Sequence, residues 1–285
     1  MSNGIGVRQN EEKSIAMLAA QRQLYNDAKK YDWVSVVLSV WFPLGLAIIL
    51  IFTQDNTLTF VSYILSIVSM LFSMFVGSYI RKKKELAAFI QQKFDTYVYK
   101  MTWDNRIFGK EKTVNREIVE YSKRILDDDG EKKKLKDWYT PIVDEKSLED
   151  GILACQRENF SWDVGLRKRF MLASIIAIVV LCIAIFAIGV WKNETVGKLI
   201  WRFAFVVPML EWLLGTVKQI NGDIKNLDKL SEQINSSEIK TMQDLQDIQK
   251  QIFDHRKQCF NIPNFFYKAF KNNDEDREHM IASWN

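Results

Sequence analysis

Four apolar runs, each about 20 residues long and set in two close pairs, limit what this chain can fold into more than any other feature. Residues 33–53 and 58–80 form one pair, and residues 170–191 and 199–217 form the other. A helix rising about 1.5 Å per residue needs about 20 residues to cross roughly 30 Å of hydrocarbon. Only a few residues join the members of a pair, so each pair reads as a helical hairpin. The expected fold is an all-α membrane protein: four transmembrane helices as two hairpins, with helical cytosolic extensions forming a cytoplasmic bundle.

The runs differ in strength. Residues 170–190 hold thirteen Ile, Leu, Val and Phe side chains. At about −0.3 to −0.6 kcal/mol each, these contribute roughly −4 to −8 kcal/mol to insertion. The fourth run is weaker, because it contains Arg202, Pro208 and Glu211, and a charge near mid-bilayer costs about 2.5–3.5 kcal/mol. It is read as the second arm of a hairpin; the alternative is a three-pass chain with Lys218 onward on the opposite side.

Basic residues set the orientation. Arg81-Lys82-Lys83-Lys84 and Arg167-Lys168-Arg169 bound the middle segment, Lys29-Lys30 precedes the first run, and Lys218 follows the last. The short turns hold only Lys192 and Lys198. By the positive-inside rule both termini and the middle segment are cytoplasmic. The chain divides accordingly into an N-terminal amphipathic helix (1–32), a first hairpin (33–80), a cytosolic helical region and candidate ligand sensor (81–169), a second hairpin (170–217) and C-terminal cytosolic helices (218–285). The net charge of +4 sits mostly beside the apolar runs, where it sets topology and meets anionic lipid, or alternatively binds a ligand. About thirty polar residues precede the first run, so no removable signal peptide is expected. Cys155, Cys182 and Cys259 lie far apart without a pairing pattern, as in a reduced compartment.

The soluble parts carry helical periodicity throughout. Leu86, Phe89, Ile90, Phe94, Tyr97 and Met101 continue a stripe beyond the second run; Val114, Ile118, Tyr121 and Ile125 mark a shorter helix ended by Asp127-Asp128-Asp129-Gly130. A helix beginning near Leu148 runs toward the third run, and Met242, Leu245, Ile248 and Ile252 form another before Pro263. Val217, Ile220, Ile224, Leu227, Ser231 and Ile234 make a short heptad seam suited to a partner helix. The tail from Asn272 reads as polar and loose.

Catalytic patterns are missing. His255 and His279 have no nucleophile or metal-ligand spacing around them, and there is no Cys-x-x-Cys, phosphate loop or nucleophile elbow. No enzyme activity, metal or cofactor is expected. Glu211 stands about 10 Å from the cytosolic end of its run and cannot pair with Arg202, nine residues away on the opposite helix face. Pro208 removes a helix hydrogen bond one turn off. Glu211 is either a protonated acid bonded inside the bundle or, with Arg202 and Pro208, part of a pore or gate.

The middle segment holds dense polar-aromatic clusters: Trp138 and Tyr139, then Gln156 and Arg157, then Trp162, Asp163 and Arg167, with Arg22, Tyr25 and Lys29 offering a similar set on the N-terminal helix. Aromatic faces stack on bases and guanidinium groups grip phosphate. The same residue types also pack juxtamembrane helices, and composition leaves both readings open.

Arg8-Gln9-Asn10, the stretch Ala20-Gln21-Arg22-Gln23-Leu24-Tyr25 with Ala28-Lys29, and Asp137-Trp138-Tyr139-Thr140-Pro141 resemble bacterial SMODS-associated four-transmembrane effectors. So do Gln156-Arg157-Glu158-Asn159, Trp162-Asp163 and Leu166-Arg167, in the same order between the same two hairpins. The resemblance spans nearly the whole chain, its C-terminal third in layout more than in residues. It implies a bacterial inner-membrane effector of CBASS-type anti-phage defence: a partner nucleotidyltransferase makes a cyclic di- or oligonucleotide, the effector senses it, and the membrane is breached. Homo-oligomerisation is expected, DNA or RNA binding is not. The ligand residues, Arg22, Tyr25, Lys29, Trp138, Tyr139, Gln156, Arg157, Trp162, Asp163 and Arg167, are assigned from their chemistry. A constitutive ion channel or transport subunit using Glu211, and a non-enzymatic membrane scaffold, remain the alternative readings.

Overall fold

A computed structural model describes residues 2–53, 56–111, 113–193, 195–235, 241–267 and 269–270, and among them every regular element is helical. The tail from Asn272, part of the first hairpin turn and Glu194 of the second lie outside the described residues.

A short α1 (Ile5–Gln9) leads into α2 (Glu12–Val36), which continues through a π-helical turn at Val37–Trp41 into α3 (Phe42–Thr53). Pro43 explains the π turn. It has no N–H to give the Ser39 carbonyl and its ring crowds that group, so the hydrogen-bond ladder widens just before it. The first apolar run is thus divided among three helical pieces. α4 (Asn56–Val98) joins the second run to the stripe beyond it in one helix, about 64 Å long.

α5 (Asn105–Phe108), α6 (Asn115–Leu126) and α7 (Asp129–Lys133) follow. The triple aspartate is a helix start: Asp128 accepts from the N–H groups of Gly130 at 2.9 Å and Glu131 at 3.1 Å, capping α7. A 3-10 turn at Pro141–Glu145 precedes α8 (Leu148–Trp191), capped by Ser147. α9 (Val196–Asn235) returns along α8, and α10 (Met242–Gln258) opens with a Thr241–Asp244 capping box.

α2 lies along α4 and α6, and α10 packs on α4, α8 and α9. Their shared core centres on Leu18, Leu24, Ile90, Phe94, Tyr99 and Ile152. The N-terminus closes over the start of α8, where a Cβ on Gly151 would stand 2.5 Å from Asn3 and 3.0 Å from the Val143 carbonyl.

The seam on α9 finds its partners inside the chain. Leu227, Leu230 and Ile234 pack with Ile248 and Ile252 of α10, while Ile220 and Ile224 pack with Leu166, Phe170 and Ile262. It therefore gives no reason for a second copy.

At the other ends of the long helices the polarity inverts. Phe75 is 78% exposed and Trp191 81%, and Ile176, Val180, Ile183 and Val190 on α8 are exposed as well. Among the described residues one helix, α8, is long and apolar enough to cross a membrane by length and composition, with only 11% of its apolar window buried.

Candidate functional site

The motif residues meet, although they stand far apart in sequence. The Gln9 amide brackets Tyr139, accepting from its N–H at 2.8 Å and donating to its carbonyl at 3.0 Å. Asn10 accepts from the Asp137 N–H at 3.0 Å and donates to the Asp137 carboxylate at 2.8 Å. That pairing holds Asp137 at a φ of +51°, which Asp tolerates better than most residues. Glu158 accepts from the backbone N–H and the hydroxyl of Thr140. Beneath them Asp95, fully buried, accepts from Tyr139 Oη at 2.6 Å, Gln249 Nε2 at 2.9 Å and Arg256 Nη1 at 2.5 Å. Asn159 links Tyr139 to Arg256, and Gln156 joins Gln249 and the Leu245 carbonyl. Burial alone would lower the Arg256 pKa, but the Asp95 carboxylate raises it. This network ties α1, α4, α8 and α10 together.

A second network lies where α8, α9 and α10 converge. Arg167 donates to Asp163 at 2.9 Å, to Asp223 at 2.7 Å and to the Phe260 carbonyl at 3.2 Å. His255 Nε2 stands 3.1 Å from Asp163. Burial opposes ionisation of Asp163, but the Arg167 charge and the His255 hydrogen bond hold its pKa at about 2. Burial would likewise lower His255, yet its bonds to Asp163 and Cys259 raise it to about 9, so the imidazole is cationic at neutral pH. Lys29 lies close enough to feel Asp163 and Arg167; burial dominates there and lowers its pKa to about 8. Lys29 donates to Asn264 at 3.0 Å, which with the Asp32–Asn261 bond straps the segment after α10 onto α2. The Tyr25 hydroxyl is buried here without a hydrogen-bond partner among the described residues.

Two open clefts flank this cluster. A groove of about 620 Å³ runs between α9 and α10, with His255 and Cys259 among its lining residues. A smaller cleft of about 450 Å³ between α4 and α10 is lined by Arg81, Lys84 and Lys257, and the two share Gln258. Lys84, itself buried, donates to the Cys259 carbonyl.

The ten residues assigned to ligand from the sequence therefore separate into distinct places. Tyr139 and Gln156 belong to the first buried network. Asp163 and Arg167 form the second, with Tyr25 and Lys29 beside it. Arg22 pairs with Glu131 at 3.3 Å and lies 6.0 Å from the Trp138 ring. Arg157 reaches the Ile234 carbonyl. The side chains of Trp162, Arg202 and Pro208 lie outside the described residues, and Glu211 is exposed on α9. Tyr139 (1% exposed) and Gln156 (0%) are both buried. The network residues that the sequence did not single out are Asp95, Gln249, His255 and Arg256. Asp95 had a signal, since with Gln91, Gln92 and Thr96 it interrupts the apolar stripe of α4 with polar groups that are all buried. Among the described residues no group of three or more His, Cys, Asp or Glu side chains could hold a metal ion.

The family model described as the SMODS-associating 4TM effector domain matches residues 3–283. A protein of Bacillus cereus (strain VD146) described as a "probable CBASS effector molecule" is 26% identical over 239 residues, covering 81% of this chain and 75% of the relative. No solved structure matches.

Proposed function

The chain belongs to the SMODS-associating 4TM effector family, and from that premise we propose that it senses a cyclic di- or oligonucleotide in the cytosol and permeabilises the bacterial inner membrane in anti-phage defence. Four spans in two hairpins, with both termini cytoplasmic, are the topology this reading requires. α8 carries it. The first half of that helix contributes Gln156, Asn159, Asp163 and Arg167 to the buried networks, and the second half exposes an unbroken apolar surface. A helix of 44 residues, about 66 Å long, is a rigid link between a polar body and a bilayer.

A ligand shifts such a molecule only by binding one arrangement more tightly than another. The networks tie five helices, α1, α4, α8, α9 and α10, into one body, so a ligand that tilts α9 against α8 moves both ends together. Glu211 supports assembly. Its side chain is exposed on a single chain, and a carboxylate at bilayer depth needs water or a second protein surface. Packed around a shared axis, several copies would line a path with that acid.

The test uses full-length protein in dye-loaded liposomes and a panel of cyclic di- and trinucleotides. Release with one member of the panel, and a tight membrane without nucleotide, is the expected result. Leakage that needs no nucleotide favours a constitutive channel, and a tight membrane across the whole panel contradicts the effector mechanism.

A further inference from the structure

The groove between α9 and α10 borders the second buried network, which lends it Asp223 and His255 as lining residues, while the rest of its lining belongs to neither network. Its volume of about 620 Å³ falls in the range of roughly 300–1,000 Å³ usual for small-molecule sites. Its α9 wall extends from residue 215 to residue 230, about 22 Å along the helix. Gly215 lies within the last turn of the fourth apolar run, so the groove starts at the bilayer edge and continues past it into the cytosolic body.

Charge inside the groove is unequal. Asp223 is held by Arg167 at 2.7 Å and by the Phe260 N–H at 2.8 Å, and Asp254 pairs with Lys257 at 2.7 Å. The floor cluster balances: two carboxylates, Asp163 and Asp223, face one guanidinium and one imidazolium. Lys218 and Lys229 on the rim are then surplus positive charge. Both are exposed on α9. They stand eleven residues apart, three turns on one face, about 16 Å along the axis. That spacing reaches two phosphates of one ligand better than a single phosphate. Between them Asn226, Gln219 and Gln258 present amides, which donate and accept in the manner base edges need.

The geometry points to this groove as the docking site for a nucleotide with two or more phosphodiester groups, its phosphates on Lys218 and Lys229 and its base edges on the amides. The inference rests on the nucleotide-gated effector reading and moves its sensor from the motif residues to the α9–α10 groove. Position gives it a mechanical consequence. α10 is strapped to α2 through Asn261 and Asn264, while α9 continues into the fourth run. A ligand drawing the two helices together acts on a membrane helix directly.

Gly222 supplies the test. It lines the groove, and a Cβ built there meets no atom within 4 Å. Glycine in a helix interior is about 1 kcal/mol worse than alanine, so Gly222→Phe should fill the groove without unfolding α9. Full-length wild type, Gly222→Phe and the double variant Lys218→Ala/Lys229→Ala are titrated in detergent with cyclic di-AMP, cyclic di-GMP, cyclic GMP–AMP and cyclic triadenylate, then compared in dye-loaded liposomes. Wild type is expected to bind at least one. Both variants should lose affinity at least roughly tenfold, Gly222→Phe by occupying the groove and the lysine pair by removing charge-assisted contacts, with thermal unfolding unchanged. If Gly222→Phe unfolds, the exposed lysine pair decides alone. Variants that bind like wild type overturn the groove and leave the effector reading standing. A wild type that binds none of the four overturns both.

Discussion

Asp95 shows how single residues hold this molecule. Three donors from α10 and the segment before α8 converge on one fully buried carboxylate. Removing one member of such a buried pair leaves the other charged and unmatched, which costs about 3–5 kcal/mol. Asp95→Asn should therefore lower the unfolding midpoint sharply, whereas Lys13→Ala at the exposed Lys13–Glu11 pair should leave it nearly unchanged. Equal effects would contradict the network. His255 yields a pH dependence. Its pKa rises from 6.5 to about 9 on folding, so its contribution is complete below pH 6.5 and lost as pH rises through 9. Lys29, lowered to about 8, works in the opposite sense above pH 8 by releasing its proton more readily in the folded state. Stability should thus fall between about pH 6.5 and 8, by up to about 2 kcal/mol, and then flatten. Thermal unfolding of wild type and His255→Gln across that window checks it: the variant should show no fall, and a fall of the same size would remove His255 from the explanation.

Elements were more legible in the sequence than contacts. The stripe from Val114 became α6, the run from Met242 became α10, and the start near Leu148 became α8, because periodicity is a local property of a helix. The π turn at Val37–Trp41 did not show in the periodicity, and its local cause is Pro43. What spacing could not reveal is who pairs with whom. Gln9 meets Tyr139 across 130 positions and Asp95 meets Arg256 across 161, and no period connects such residues. For that reason spacing could not show that Tyr139 and Gln156 join one buried network, or that the α9 seam packs on α8 and α10 of its own chain. Leu227→Ala tests the corrected seam. Losing this side chain, 2% exposed, should cost about 2–5 kcal/mol while the particle mass in detergent stays the same. A drop in mass would place the seam between copies after all.

On the scale of the whole molecule, a polar, densely bonded body and an apolar, exposed set of helix ends share the same three long helices. That division has functional meaning only if the body is cytosolic and the second hairpin tip crosses to the far side. Impermeant maleimide labelling of intact cells tests this most directly, with single cysteines at Val119 on α6 and at Val196 beside the tip, 71% and 74% exposed. Val196→Cys should react from outside and Val119→Cys only after the cells are opened. Labelling of Val119→Cys in intact cells would contradict the account.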